Sequence, residues 1–209
     1  MALPVILFVS RQHESLDNSS YMLKAIQSRI TGRIVLVLFV LTNAVYFAML
    51  SYSIPKLMSA SDGLPIFDMS PTGYSYQQAI DLLSRLGEEG RNFYLSTQLV
   101  LDLFYPLLFG LCYFSLLQWL IKVIKLKGRA WSVLSFVPFL VFALDYTENV
   151  GIWLMLSHYP DLSEGLVTIS SAFTVAKSTS TMVYFTVLLV VLILAGVHFY
   201  KVRIAKASV

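Results

Sequence analysis

Cysteine, histidine and charge are all scarce in this chain, and each scarcity removes a class of function. The single cysteine of the 209 residues, Cys112, lies in an apolar run, so no intrachain disulfide can form. A thiol oxidoreductase built on paired cysteines is excluded with it. The three histidines (His13, His158 and His198) are too scattered for a local metal motif. No Gly-rich phosphate loop, zinc-ligand spacing or nucleophile elbow occurs, and neither a metal nor a cofactor is expected. Charged residues make up 13% of the chain, against roughly 25% in a soluble domain. The net charge of +3 comes from basic residues grouped at segment ends, which argues against a nucleic-acid partner.

What is abundant is apolar. Hydrophobic residues make up 57% of the chain and the mean hydropathy is +0.72. Four stretches, 34–53, 93–121, 131–156 and 172–199, reach the roughly 20 residues that a spanning helix needs. The sequence therefore predicts an all-α membrane protein with a four-helix transmembrane domain over 34–199. A tail with an amphipathic lead-in covers 1–33, a long external loop covers 54–92, and a basic tail covers 200–209. Arg11, Lys24, Arg29 and Arg33 precede the first span; Lys122, Lys125, Lys127 and Arg129 fill the second loop; Lys201, Arg203 and Lys206 follow the last span. The third loop, Ser157–Ser171, has no Lys or Arg but carries Asp161 and Glu164. The positive-inside rule then puts both termini and the second loop in the cytoplasm, as in a multi-pass protein of a bacterial-type inner membrane.

The opening MALPVILFVS is too short to span and lacks the basic region and cleavage site of a signal peptide. In the first loop, SDGLPIFDMSPTGYS is rich in turn formers. Ser75 then begins an S-x-x-Q capping box, followed by Ala79, Leu82, Leu83 and Leu86 at helical spacing and by Gly87 as a stop. Tyr76–Leu86 is predicted as an amphipathic helix lying over the outer end of the bundle or on the lipid surface beside it.

Against this background the polar residues inside the spans stand out. Asp145, Glu148 and Asn149 share one helical face at i, i+3 and i+4. At a rise of about 1.5 Å per residue, Asp145 lies roughly 22 Å from the cytoplasmic side, Glu148 roughly 27 Å, Asp102 roughly 30 Å and Lys177 roughly 35 Å. With a hydrocarbon core about 30 Å thick, these groups share one outer level. Gln98 and Asp102 fall on one face of the second span. Ser170, Thr174, Lys177, Ser178 and Thr181 form a stripe on the fourth, and Asn43 with Tyr46 a shorter one on the first. Stripes facing lipid are unfavourable, so all four are expected to converge on a polar pocket in the outer half of the bundle. Pro106 cannot donate to the carbonyl of Asp102, which releases a backbone acceptor into the same layer; Pro138 does the equivalent for Leu134. Three carboxylates against one lysine leave negative charge for a proton or a cation to balance. Tyr94, Trp119, Trp131, Trp153, Tyr159 and Tyr200, near span ends, read as an interfacial aromatic belt.

Three functions fit this pattern. The first is a pocket that binds a small cationic or lipid-like ligand or relays protons, lined by Asp145, Glu148, Asn149, Asp102, Gln98, Lys177 and Asn43. The second is a structural or accessory subunit, in which the loop helix and the outer helix ends dock on a membrane-protein partner. The third, a lipid-modifying enzyme using a carboxylate as general acid or base, has no nameable nucleophile and base. A claudin-like tetraspan is excluded, because the first loop has neither the Trp-x-Gly-Leu-Trp element nor a cysteine pair.

Overall fold

The computed structural model describes residues 25–207, and among them there is helix but no strand. The tail reading for the first 24 residues lies outside the described residues. Four helical runs are long and apolar enough to cross a membrane: Gly32–Ala60, Tyr76–Val123, Ala130–His158 and Glu164–Ala207. On length and composition this is a multi-pass membrane protein.

The first run starts at Thr31, whose hydroxyl accepts from the Ile34 amide at 3.4 Å. Helix α1 (Gly32–Ala48) buries only Val35 and Thr42, as befits an apolar helix that faces lipid around most of its circumference. It does not end near residue 53 as the hydropathy implied. A π-helical stretch, Met49–Ser53, carries it without a break into α2 (Ile54–Ala60), which contains Pro55. A short loop holds one 3₁₀ turn, Phe67–Met69.

Helix α3 (Tyr76–Phe93) opens on a complete capping box: Ser75 accepts from the Gln78 amide, and Gln78 accepts from the Ser75 amide at 2.7 Å. Its face of Ala79, Leu82, Leu83 and Leu86 is buried. Gly87 breaks it at a φ of 61°, and Arg91 folds back to donate to the Leu83 carbonyl at 2.8 Å. The chain then continues through a second π-helical stretch, Tyr94–Gln98, into α4 (Leu99–Val123).

The third span is two helices rather than the single one read from the sequence. Helix α5 (Arg129–Leu134) stops, and α6 (Val137–His158) restarts with Pro138 in its first turn. A proline that was expected to kink a helix begins one instead, which removes the clash altogether. Ser135 at the break accepts from Gln118 Nε2 at 2.8 Å, and Gln118 Oε1 accepts from Gln27 at 3.3 Å. Helix α7 (Glu164–Ala207) takes in much of the expected third loop and the basic tail. At 44 residues it is about 66 Å long, twice the hydrocarbon thickness, so it projects well beyond the core.

In the bundle α1 packs on α4, α4 on α6, and α6 along α7. Two large apolar clusters fill it, with a third small one of Ile30, Val35 and Phe114 between α1 and α4. One joins α2, the loop, α3 and the ends of α4, α6 and α7 through Leu57, Phe67, Leu83, Tyr94, Ile152 and Val167. The other, through Leu117, Ile121, Tyr184 and Leu188, lies toward the end bearing the basic second loop. Along each of α4, α6 and α7 the polar residues named above fall between members of the two clusters. Every acidic residue among the described ones lies in this polar layer or toward the end beyond it: Asp62, Asp68, Asp81, Glu88, Glu89, Asp102, Asp145, Glu148, Asp161 and Glu164.

Candidate functional site

The layer is built around Lys177 of α7. Its Nζ lies 3.4 Å from Asp145 Oδ1 and 4.0 Å from Asp68 Oδ1, and it is paired closely with Glu148 Oε2. Glu148, with no exposed surface, accepts on its other oxygen from Thr174 Oγ1 at 2.7 Å. Asp145 and Glu148 come from α6 and Lys177 and Thr174 from α7. That meeting requires the two helices to approach closely. Gly151 allows it, because a Cβ there would lie 2.8 Å from Cβ of Ser170.

Asp102 forms the α4 side of the layer and is buried. Gln98 Nε2 donates to its Oδ2 at 3.0 Å, and Ser53 donates to Gln98 Oε1 at 2.6 Å. Ser53 and Gln98 are the last residues of the two π-helical stretches, which pack against each other. A π-helical turn rotates the residues after it relative to an α-helical register, and such turns recur at functional sites. The carbonyl that Pro106 leaves without a helical donor is also used: Asn149 Nδ2 donates to Asp102 O at 3.2 Å. Asn149 is itself buried, and its Oδ1 accepts no hydrogen bond.

The structure brings Asp145, Glu148, Asn149, Asp102, Gln98 and Lys177 into one layer. It does not bring Asn43, which donates to the Phe39 carbonyl of its own helix at 2.8 Å. The buried polar residue of α1 is its neighbour Thr42, bonded to Leu38 O and, across the interface, to Leu108 O at 3.2 Å. Asn43 sits beyond the contact face by one residue, a rotation of about 100°.

Sequence reasoning missed Asp68 and misread Tyr94. Tyr94 is no interfacial belt residue: it is completely buried and donates to Asp68 Oδ2 at 2.6 Å. Asp68 is thus gripped between Tyr94 and Lys177, and the first loop becomes a fourth wall of the layer. The available signal was the apolar pair before it, since Ile66 and Phe67 are almost wholly buried in a stretch otherwise rich in turn formers. Farther along the loop, Gly73 turns at a φ of 84°; the Tyr74 amide donates to Ser171 Oγ at 2.8 Å, and the Tyr74 hydroxyl to Ser170 Oγ at 2.9 Å. Burial raises the Tyr74 phenol to about 12, against the pull of its hydroxyl partners, so it remains a donor at any physiological pH.

A groove of about 360 Å³ opens beside this layer, between α4, α6 and α7. Asp145, Lys177 and Ser178 lie at one end, with Pro71 of the loop; Tyr105, Phe109, Val141, Thr181 and Met182 line the rest. Lys177 is therefore not sealed in a closed ion pair: the ionic cluster has one open side. No family model, no curated protein and no solved structure matches this chain.

Proposed function

We propose that this is a small multi-pass membrane protein, N-in and C-in across a bacterial-type inner membrane, whose acidic layer near the outer face binds the cationic group of a ligand. The basic residues at one end of the bundle support the orientation. The observation that carries the binding reading is the charge count around Lys177. Asp68, Asp145 and Glu148 face one ammonium, with Asp102 behind them, and the surplus carboxylate charge lies beside an open groove. Charges buried without a full complement are costly in any membrane, and they persist where they serve a site. A cation reaching Asp145 through the groove offsets part of that surplus.

The test uses the full chain in detergent micelles, with thermal unfolding followed in butylammonium chloride and in sodium chloride at equal ionic strength. The amine is expected to raise Tm for the native chain, by the equivalent of about 2.7 kcal/mol at a hundredfold excess over Kd. Asp145→Asn is expected to fold, since Lys177 keeps Glu148 and Asp68, and to lose the shift. Superimposable curves in the two salts would remove the reading.

A further inference from the structure

The groove has a direction. Its ionic end is the acidic layer, and its apolar residues lie along the helices toward the basic end of the bundle. Val141 precedes Asp145 by one turn, about 6 Å; Met182 lies about 7.5 Å beyond Lys177, and Phe109 about 10 Å beyond Asp102. With the acidic layer in the outer third of the membrane, this places the charge toward the headgroups and the apolar wall deeper in the hydrocarbon. The polarity of the groove therefore runs parallel to that of one bilayer leaflet.

The groove is also open sideways. Met182 is 66% exposed on a spanning helix, on a surface continuous with the exposed Phe185 and Leu189 of α7. The mouth thus faces acyl chains. Its inner wall is fixed, because the Phe109 ring packs at 4.6 Å on Tyr113 and at 6.4 Å on Tyr184, whose hydroxyl donates to the Tyr113 carbonyl at 2.7 Å. A volume of about 360 Å³ lies at the small end of ligand pockets, which suits one chain rather than two.

The charge of the head follows from the layer itself. Its three facing carboxylates outnumber its lysine, and the carboxamide of Asn149, more than nine-tenths buried in the same layer, has an oxygen without a donor. The layer is short of both positive charge and hydrogen-bond donors. An ammonium head at Asp145 brings positive charge and N–H donors to that carboxylate; a carboxylate head adds negative charge instead.

We propose that the groove admits a single-chain amphiphile with an ammonium head from the bilayer, its head at Asp145 and its chain along Val141, Phe109 and Met182. This rests on the cation-binding reading above and adds the route and the chemical class of the ligand.

The experiment reconstitutes the full chain in phosphatidylcholine nanodiscs with dodecylamine, dodecanol or dodecanoate at equal mole fraction. Bound molecules per chain are counted by native mass spectrometry. One dodecylamine per chain is expected, with dodecanol and dodecanoate at background. Asp145→Asn and, independently, Met182→Trp are each expected to weaken dodecylamine retention about tenfold or more, equivalent to one decade in Kd. Met182→Trp changes an exposed side chain at the mouth, so its folding is not at issue. Retention of dodecylamine unchanged by Met182→Trp overturns the lateral route, and preferential retention of dodecanoate overturns the ammonium head. If butylammonium stabilises the chain while dodecylamine is not retained, the cation site stands and the amphiphile falls. If neither binds, both fall.

Discussion

Lys177 faces three carboxylates at once, so its removal is the most disruptive single change in the layer. Lys177→Met keeps most of the length of the side chain and deletes the charge, leaving Asp145 and Glu148 buried without their partner. Breaking one partner out of a buried ion pair costs about 3–5 kcal/mol, and that loss is expected in unfolding of the variant from mild detergent into dodecyl sulfate. Adding Glu148→Gln is expected to restore a large part of it. A stability unchanged by Lys177→Met would mean that the layer is hydrated rather than ion-paired. Tyr74 gives a second residue-scale prediction. Its phenol, normally near 10, is raised to about 12 by burial. Between those values the unfolded chain ionises while the folded chain does not, so stability is complete below pH 10 and declines as pH rises toward 12. Tyr74→Phe is expected to flatten that decline in Tm measured against pH, and to cost about 1 kcal/mol at neutral pH through the lost bond to Ser170. At this scale, carboxylates and a lysine inside apolar spans announced themselves in the sequence. Asp68 did not, because an aspartate in a loop is unremarkable until its neighbours prove buried.

At the scale of the element, the approach of α6 to α7 depends on Gly151. A Cβ added there would meet both Cβ and Oγ of Ser170, so Gly151→Val is expected to force the helices apart and cost about 1–3 kcal/mol. Ser170→Gly in the same chain removes the obstructing atoms and is expected to recover part of that loss, in the same dodecyl sulfate titration. Additive losses would place the strain elsewhere. The helices themselves were readable from apolar runs of adequate length, as was the stop at Gly87. Their exact joins were not. The π-helical stretches Met49–Ser53 and Tyr94–Gln98 have no composition of their own, and hydropathy falls off before helix does at Ala60 and Ala207. Pro138 signalled an interruption, but whether a proline kinks or begins a helix depends on packing around Ser135 that no local pattern records. Asn43 failed for a related reason. Its helix is apolar on every side, so nothing in the sequence fixes which face turns inward.

For the whole molecule, the deciding property is the segregation of charge along the bundle axis. Among the described residues, Lys122 at the end of α4, Lys125 and Lys127 of the second loop and Lys201, Arg203 and Lys206 of α7 mark one end; only Lys56, Arg85 and Arg91 stand beyond the polar layer at the other. There Arg85 is bonded to Asp62 at 2.9 Å, and Arg91 is spent on the Leu83 carbonyl and the Tyr159 ring. Because Lys and Arg near span ends set orientation while Asp and Glu contribute little, the basic end is expected in the cytoplasm and the layer toward the outer leaflet. The arrangement can be checked with single cysteines in a Cys112→Ser background, a change that removes one buried thiol. In intact cells, a membrane-impermeant maleimide is expected to label Asp62→Cys, and to label Lys127→Cys and Lys206→Cys only after the cells are opened. The reverse pattern would turn the groove's ionic end to the cytoplasmic leaflet. The amphiphile would then be drawn from that side, still head toward the face and chain toward the midplane, because the groove's polarity is built into the bundle and not into its orientation.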